Sequence, residues 1–129
     1  MQNLRERTQA YAAHLGMKPT KSLGQHFLVN EAVLKKIIGT AGDINGVPVL
    51  EIGPGLGVLT EQLVQAGAHI TAVELDRTCA AFLQKQFSTV PAVRVVQDDI
   101  FRWFSLNREE LLKANIILLL IFPIISPRM

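Results

Sequence analysis

Cysteine is nearly absent: Cys79 stands alone, which excludes an internal disulfide and any thiolate metal cluster. It sits beside Ala80, Ala81 and Phe82 in a stretch that reads as helix, so a buried, inert thiol is expected. The three histidines are scattered without ligand spacing, and no metal site is expected. Long apolar runs are scarce as well. The one candidate, Ile116–Ile125, contains Pro123 and is about half the length a membrane helix needs, so no membrane association is expected. Gln2–Arg7 is polar and no apolar segment of a secretory leader follows it, which makes the cytoplasm the expected location.

What is present is a chain of ordinary globular composition. Its 129 residues are enough for one domain with a core and too few for two. With 49% hydrophobic and 19% charged residues, disorder is excluded. The net charge of +2 is unevenly spread. Residues 1–40 carry six Lys/Arg against two Asp/Glu, whereas residues 41–129 carry seven against nine. A basic arm on a mildly acidic body suits a polyanionic partner, because each phosphate contact releases condensed counterions; a solvated helix face would produce the same pattern.

Along the chain, residues 3–15 read as a short polar helix and residues 16–24 as a basic loop. Asn30 is a good N-cap for a helix over residues 31–40, whose buried stripe would be Val33, Leu34, Ile37 and Ile38. Residues 47–52 form a short, branched, apolar strand that runs into Gly53-Pro54-Gly55-Leu56-Gly57. A helix over 60–66 stops at Gly67. Residues 69–74 form a second strand, Asp76 caps a helix to about Phe87, and residues 93–97 form a third strand ending at Asp98-Asp99. Strand and helix alternate, so the fold class is α/β with a parallel sheet and right-handed crossovers. Trp103, Phe101 and Phe104 are expected to pack in the core.

In such a sheet, ligands bind beyond the carboxyl ends of the strands. Gly53, Gly55 and Gly57 fall there, where missing Cβ atoms allow a ligand to approach the backbone. Glu74 closes the second strand about twenty residues after the first glycine, placed to accept hydrogen bonds from both ribose hydroxyls of a nucleoside. Asp99 closes the third strand and could accept from an exocyclic adenine amine. A glycine turn alone would be weak support, since a tight strand–helix turn needs no ligand; the two acids add the specificity. The dinucleotide fold competes, but its turn is G-x-G-x-x-G with helix amides facing a pyrophosphate. Here the spacing is G-x-G-x-G behind an acidic Glu51. A carboxylate disfavours a pyrophosphate and favours a sulfonium nucleoside with an amino-acid tail. S-adenosylmethionine is therefore the expected cofactor.

The run from Glu51 to Thr60, Glu-Ile-Gly-Pro-Gly-Leu-Gly-Val-Leu-Thr, resembles the first motif of the ribosomal RNA adenine N6,N6-dimethyltransferases. Val73-Glu74-Leu75-Asp76 resembles the family's second motif, and Val96-Gln97-Asp98-Asp99-Ile100 its third. Lys21-Ser22-Leu23-Gly24-Gln25-His26-Phe27-Leu28 resembles its upstream signature. The resemblance covers roughly residues 4–105. It implies a class I S-adenosylmethionine-dependent methyltransferase with a Rossmann-like sheet, incomplete at its C-terminus. Residues 1–30 would be a basic N-terminal arm and residues 31–129 the cofactor-binding domain, without the family's C-terminal RNA-binding helical domain. By position, His26 and Leu28 would contact the cofactor from the arm, with His26 standing where Asn is commoner. Gly53 would lie under the methionine part, Glu74 would hold the ribose, and Asp99, rather than its neighbour Asp98, would hold the adenine amine. The implied reaction places two methyl groups on N6 of each of two adjacent adenosines in 16S ribosomal RNA, during small-subunit assembly, by a monomer. Alternatives are a 23S adenine methylase conferring macrolide resistance and a non-catalytic RNA-binding relative.

One family element is absent. The Asn-Leu/Ile-Pro-Tyr motif, which holds the amine and stacks on the extruded base, should end the fourth strand, and residues 113–129 do not contain it. No catalytic residue is therefore assigned, and this chain is expected to be weak or inactive in methyl transfer. Permissible codons for Leu120–Met129, read from the last base of the Leu120 codon, translate as Asn-Ile-Pro-Tyr-Tyr-Ile-Thr-Thr-His. A frameshift between about Asn107 and Leu120 is the corresponding expectation.

Overall fold

A computed structural model describes residues 31–114 and 116–120, together with residues 6, 9, 10, 13, 14 and 16. The first long helix, α1 (Glu31–Ala41), is followed by β1 (Pro48–Ile52), α2 (Val58–Gln65), β2 (His69–Glu74), α3 (Arg77–Gln86) and β3 (Val93–Gln97). Two short helices, α4 (Ile100–Leu106) and α5 (Arg108–Lys113), lead to β4 (Ile117–Leu120). The four strands form one parallel sheet in the order β3-β2-β1-β4.

Strand alternation builds two cores, one on each face of the sheet. Val49, Ile70 and Ala72 join Leu34, Ile44, Val58, Leu59 and Leu63, so α1 and α2 cover one face. Leu50 and Val73, which point the opposite way, pack with Trp103 of α4 and with Ile100, Leu111 and Ile116. A parallel sheet covered on both faces explains why its strands read as nearly continuous apolar runs. Pro48 is tolerated because it is the first residue of its strand.

Most expected boundaries hold within two residues. The second and third strands match, and Asp76 caps α3 by accepting from the Cys79 N–H at 2.8 Å. Cys79 is buried, and burial pushes its thiol well above the ordinary range, so it is inert as expected. α2 begins at Val58 rather than residue 60. Gly57 takes a left-handed conformation (φ 81°) and its carbonyl already accepts from Glu61, so the helix starts directly after the loop.

Three expectations about apolar residues fail. Val33 is 41% exposed, because the buried stripe of α1 narrows to Leu34 with Ile37 and Ile38 partly covered. Phe101 is 83% exposed and Phe104 46%, while Trp103 alone of that trio enters the core. Their spacing along one short helix allows a single inward direction, and Trp103 takes it. Asn30, expected to cap α1, lies outside the described residues, as do residues 17–29 of the expected arm.

Candidate functional site

From β1 the chain moves to β2 and then β3 on one side, and later reaches β4 on the other side of β1. That reversal opens a crevice at the carboxyl end of β1, where a doubly wound sheet binds ligands. The loop Gly53–Gly57 occupies this position, between β1 and the start of α2.

Its shape is set by one backbone bond to β2 and one within the loop. The Gly53 N–H donates to the Val73 carbonyl at 3.0 Å, and the Gly57 N–H donates to Pro54 at 3.0 Å. Gly53 has φ 70°, and a Cβ added there would meet nothing within 4 Å among the described residues, so its outer side is open to them. Gly57 is glycine for another reason: a Cβ there would lie 2.6 Å from Leu83 Cδ2 and 3.1 Å from Phe87 Cε2. The first glycine leaves room for a ligand and the third leaves room for α3.

Glu74, at the end of β2, holds the loop from behind. Its Oε1 accepts from the Gly55 N–H at 2.8 Å and its Oε2 from the Asp76 N–H at 2.8 Å. It is 6% exposed, and burial raises its pKa while these two bonds pull it back. A carboxylate offers about four lone-pair sites, so acceptor capacity remains beyond these backbone bonds.

Asp99 caps α4. Its Oδ1 accepts from Phe101 N–H at 2.8 Å and Arg102 N–H at 3.2 Å, and the residue is exposed at the carboxyl edge of β3. Its neighbour Asp98 is committed elsewhere. Asp98 Oδ2 pairs with Arg102 Nη1 at 2.8 Å, and its Oδ1 accepts from the Asp99 N–H. The geometry thus leaves Asp99 the freer of the two carboxylates. Glu74 ends β2, Asp99 lies two residues beyond the end of the adjacent β3, and Gly53 follows the strand on the other side of β2. Of the expected site residues, these three are brought to one edge; His26 and Leu28 lie outside the described residues.

Glu51 is fully buried. Its Oε2 accepts from the Thr60 hydroxyl at 2.6 Å, and its Oε1 has no hydrogen-bond partner among the described residues. Burial, with Glu74 adding a like charge and the Thr60 bond opposing, raises its pKa to about 7. Thr60 was not singled out by the sequence as a site residue. Its only signal was its place in the first turn after the loop, nine residues beyond Glu51. Among the described residues, no group of three or more His, Cys, Asp or Glu could hold a metal ion.

These features fit a nucleoside with a positively charged tail. Among the described residues the backbone is open at Gly53, acceptors lie at or just beyond the ends of two adjacent strands, and an incompletely bonded carboxyl lies two residues before Gly53. Together with the parallel sheet, they define the class I S-adenosylmethionine-dependent methyltransferase fold.

Comparison with known proteins narrows the class. The family model for ribosomal RNA adenine dimethylase matches residues 16–121, so the chain belongs to that family. It is 39% identical over 100 residues to ribosomal RNA small subunit methyltransferase A of Dehalococcoides mccartyi, covering 78% of this chain and 33% of that protein. To the protein of the same name from Deinococcus radiodurans it is 51% identical over 70 residues, covering 54% and 24%. Among solved structures it resembles the 23S rRNA methyltransferase ErmE, with 35% identity and a TM-score of 0.52, covering 57% of this chain and 30% of that one. A methyltransferase structure, yhhF from Escherichia coli, shares the fold at a TM-score of 0.55 and 22% identity, covering 59% and 45%. The chain spans about a third of the length of curated relatives it matches.

The family match through residue 121 and the pairing of β4 with β1 keep residues 108–120 within the fold.

Proposed function

We propose that this chain is the S-adenosylmethionine-binding part of a ribosomal RNA adenine N6,N6-dimethyltransferase that modifies adjacent adenosines of 16S RNA during small-subunit assembly. The observation that carries the reading is the Glu74 carboxylate bonded to the Gly55 N–H beneath an open Gly53. This arrangement makes a backbone cradle and a ribose acceptor into one rigid unit. The small-subunit target is supported by the names of the relatives from Dehalococcoides mccartyi and Deinococcus radiodurans.

In this reading each residue has a separate task. Gly53 lets the methionine portion lie against the backbone. Glu74 accepts from the ribose hydroxyls, and Asp99 accepts from the adenine amine through the carboxylate oxygen that its capping bonds leave over. His26 and Leu28 would close over the cofactor from the N-terminal arm. When bound, the sulfonium supplies an activated methyl group for displacement by a nucleophilic adenine N6. The protein's main contribution is alignment, since fixing two reactants in line replaces a bimolecular encounter. The basic arm supplies sequence-independent attraction to RNA, and the protein acts as a cytoplasmic monomer. No helix among the described residues is long and apolar enough to cross a membrane.

The direct test is calorimetric titration of the folded chain with S-adenosylmethionine, alongside Glu74→Ala. Saturable one-to-one binding that Glu74→Ala weakens at least tenfold is the expected result. A folded chain that takes up no S-adenosylmethionine would refute the reading. Methylation by the chain itself is expected to be weak or absent, because the Asn-Leu/Ile-Pro-Tyr sequence does not occur in residues 1–129. Assays on 16S and 23S fragments with the full-length protein would separate the two RNA targets.

A further inference from the structure

Two carboxyl groups flank the glycine loop, and only Glu74 accepts a hydrogen bond from it among the described residues. Glu51 lies in mid-sheet, paired with Ala72 of β2 and Leu119 of β4. Its Oε2 is tied to Thr60 of α2, so the carboxyl links the strand before the loop to the helix after it. Its Oε1 has no partner among the described residues although the residue is fully buried. A buried carboxylate with so few donors is costly to ionise, whereas a carboxylic acid is not. Thr60 donates to Oε2, so the natural seat for a proton is Oε1.

The surroundings do not favour the ionised form. β2 contributes Glu74, a second negative group that acts on Glu51. α2 turns the Thr60 hydroxyl towards it and carries one further carboxylate, Glu61. β4 is Ile117–Leu120 and has no ionisable residue. No lysine or arginine pairs with Glu51 among the described residues. A positive charge brought to the loop would be the missing counterion, acting across a medium where charges are poorly screened.

We propose that Glu51 is a proton-linked positioning residue which discriminates a sulfonium nucleoside from its neutral thioether: the site gives up the Glu51 proton to solvent on taking up the sulfonium and retains it with the thioether. This rests on the cofactor reading above and extends it. Both ligands carry the same ammonium and carboxylate, so the sulfur charge is the only electrostatic difference between them. After methyl transfer that charge is gone, Glu51 regains its proton, and the spent nucleoside is held less tightly.

The test is calorimetry of the full chain at pH 7 in buffers of different ionisation enthalpy, with S-adenosylmethionine and S-adenosylhomocysteine in turn. S-Adenosylmethionine is expected to release close to half a proton, since Glu51 titrates at about 7, and the thioether distinctly less. Between pH 5 and 7 the ratio of the two affinities should rise with pH, by at most tenfold per unit. Glu51→Gln, which is nearly isosteric, should abolish both differences. Independently of how that variant folds, the carbon-13 carboxyl resonance of Glu51 in the unliganded chain should titrate near neutrality. Equal proton release by the two ligands, or titration of Glu51 in the ordinary carboxylate range, would overturn the proposal while leaving the cofactor reading intact. Failure of the folded chain to bind either nucleoside would overturn both.

Discussion

The Gly55 N–H donates to Glu74 Oε1 at 2.8 Å across nineteen residues of sequence, joining the turn after β1 to the end of β2. The same carboxylate accepts from the Asp76 N–H, so one side chain fixes both the glycine loop and the entry to α3. A group expected only to meet a ligand thus also shapes the surface that the ligand meets. Glu74→Ala should therefore lower stability as well as affinity. The buried Gly55 N–H and the part-buried Asp76 N–H would lose their acceptor, at about 1–3 kcal/mol each where no water replaces it. Urea unfolding would check this. A midpoint equal to that of the parent would show that the bonds contribute nothing to loop stability.

Asp99 separates its two tasks more cleanly. Its Oδ1 caps α4, and Asn caps a helix about as well as Asp. Asp99→Asn should thus keep the parent's unfolding midpoint but place an amide donor where an adenine amine needs an acceptor, weakening S-adenosylmethionine binding roughly tenfold. Asp99→Ala should lose about 1 kcal/mol of stability in addition. If Asp99→Asn binds like the parent, Asp99 is a cap and nothing more.

Much of this site was legible in the sequence because its chemistry is local to strand ends. Once the short, branched apolar strands are placed, Gly53, Glu74 and Asp99 fall at the carboxyl edge of a parallel sheet without further information. What was not legible depends on which neighbour a side chain meets. Thr60 is an unremarked hydroxyl until α2 turns it onto Glu51. Phe101 and Trp103 are equally apolar, yet the direction of α4 buries one and exposes the other. Gly53 and Gly57 look alike in a G-x-G-x-G pattern, and only the packing of α3 shows that they are glycines for different reasons.

That difference is measurable. Gly57→Ala would force a methyl against Leu83 and Phe87 at a left-handed backbone position, and should cost about 2–4 kcal/mol from strain and overpacking together. Gly53→Ala meets no atom of the described residues and carries only the backbone strain, about 1 kcal/mol, but its methyl would intrude on the ligand's path. Thermal unfolding and cofactor titration of the two variants should give opposite rankings: Gly57→Ala the less stable, Gly53→Ala the weaker binder relative to its stability. Equal losses of affinity and stability in both would argue against an open ligand face at Gly53.

The exposed apolar residues of α4 and α5 lead to a solubility prediction. Phe101, Leu106 and Leu112 are 83%, 69% and 74% exposed, so none contributes much to the core. Replacing all three by Ser or Gln should leave the unfolding midpoint within about 0.5 kcal/mol per site while raising the concentration at which the chain stays monomeric in sedimentation. A large loss of stability would mean that these side chains are covered in solution.

The buried carboxyl of Glu51 makes the unliganded fold sensitive to pH in a defined direction. Its pKa is raised from 4.5 to about 7, so between those values the folded chain binds more protons than the unfolded chain. Stability should then be greatest below about pH 4.5, as far as this group is concerned, and should fall as pH rises towards 7. Glu74, also raised by burial, acts in the same sense. For Glu51 alone the loss is on the order of 3 kcal/mol. Glu51→Gln removes the titrating group and keeps a side chain able to bond Thr60. It should flatten the stability profile between pH 5 and 8 and make the variant more stable than the parent at pH 8. Urea midpoints for both chains at pH 5 and pH 8 decide the matter. If the parent is as stable at pH 8 as at pH 5, Glu51 already has a counterion or water that satisfies its ionised form.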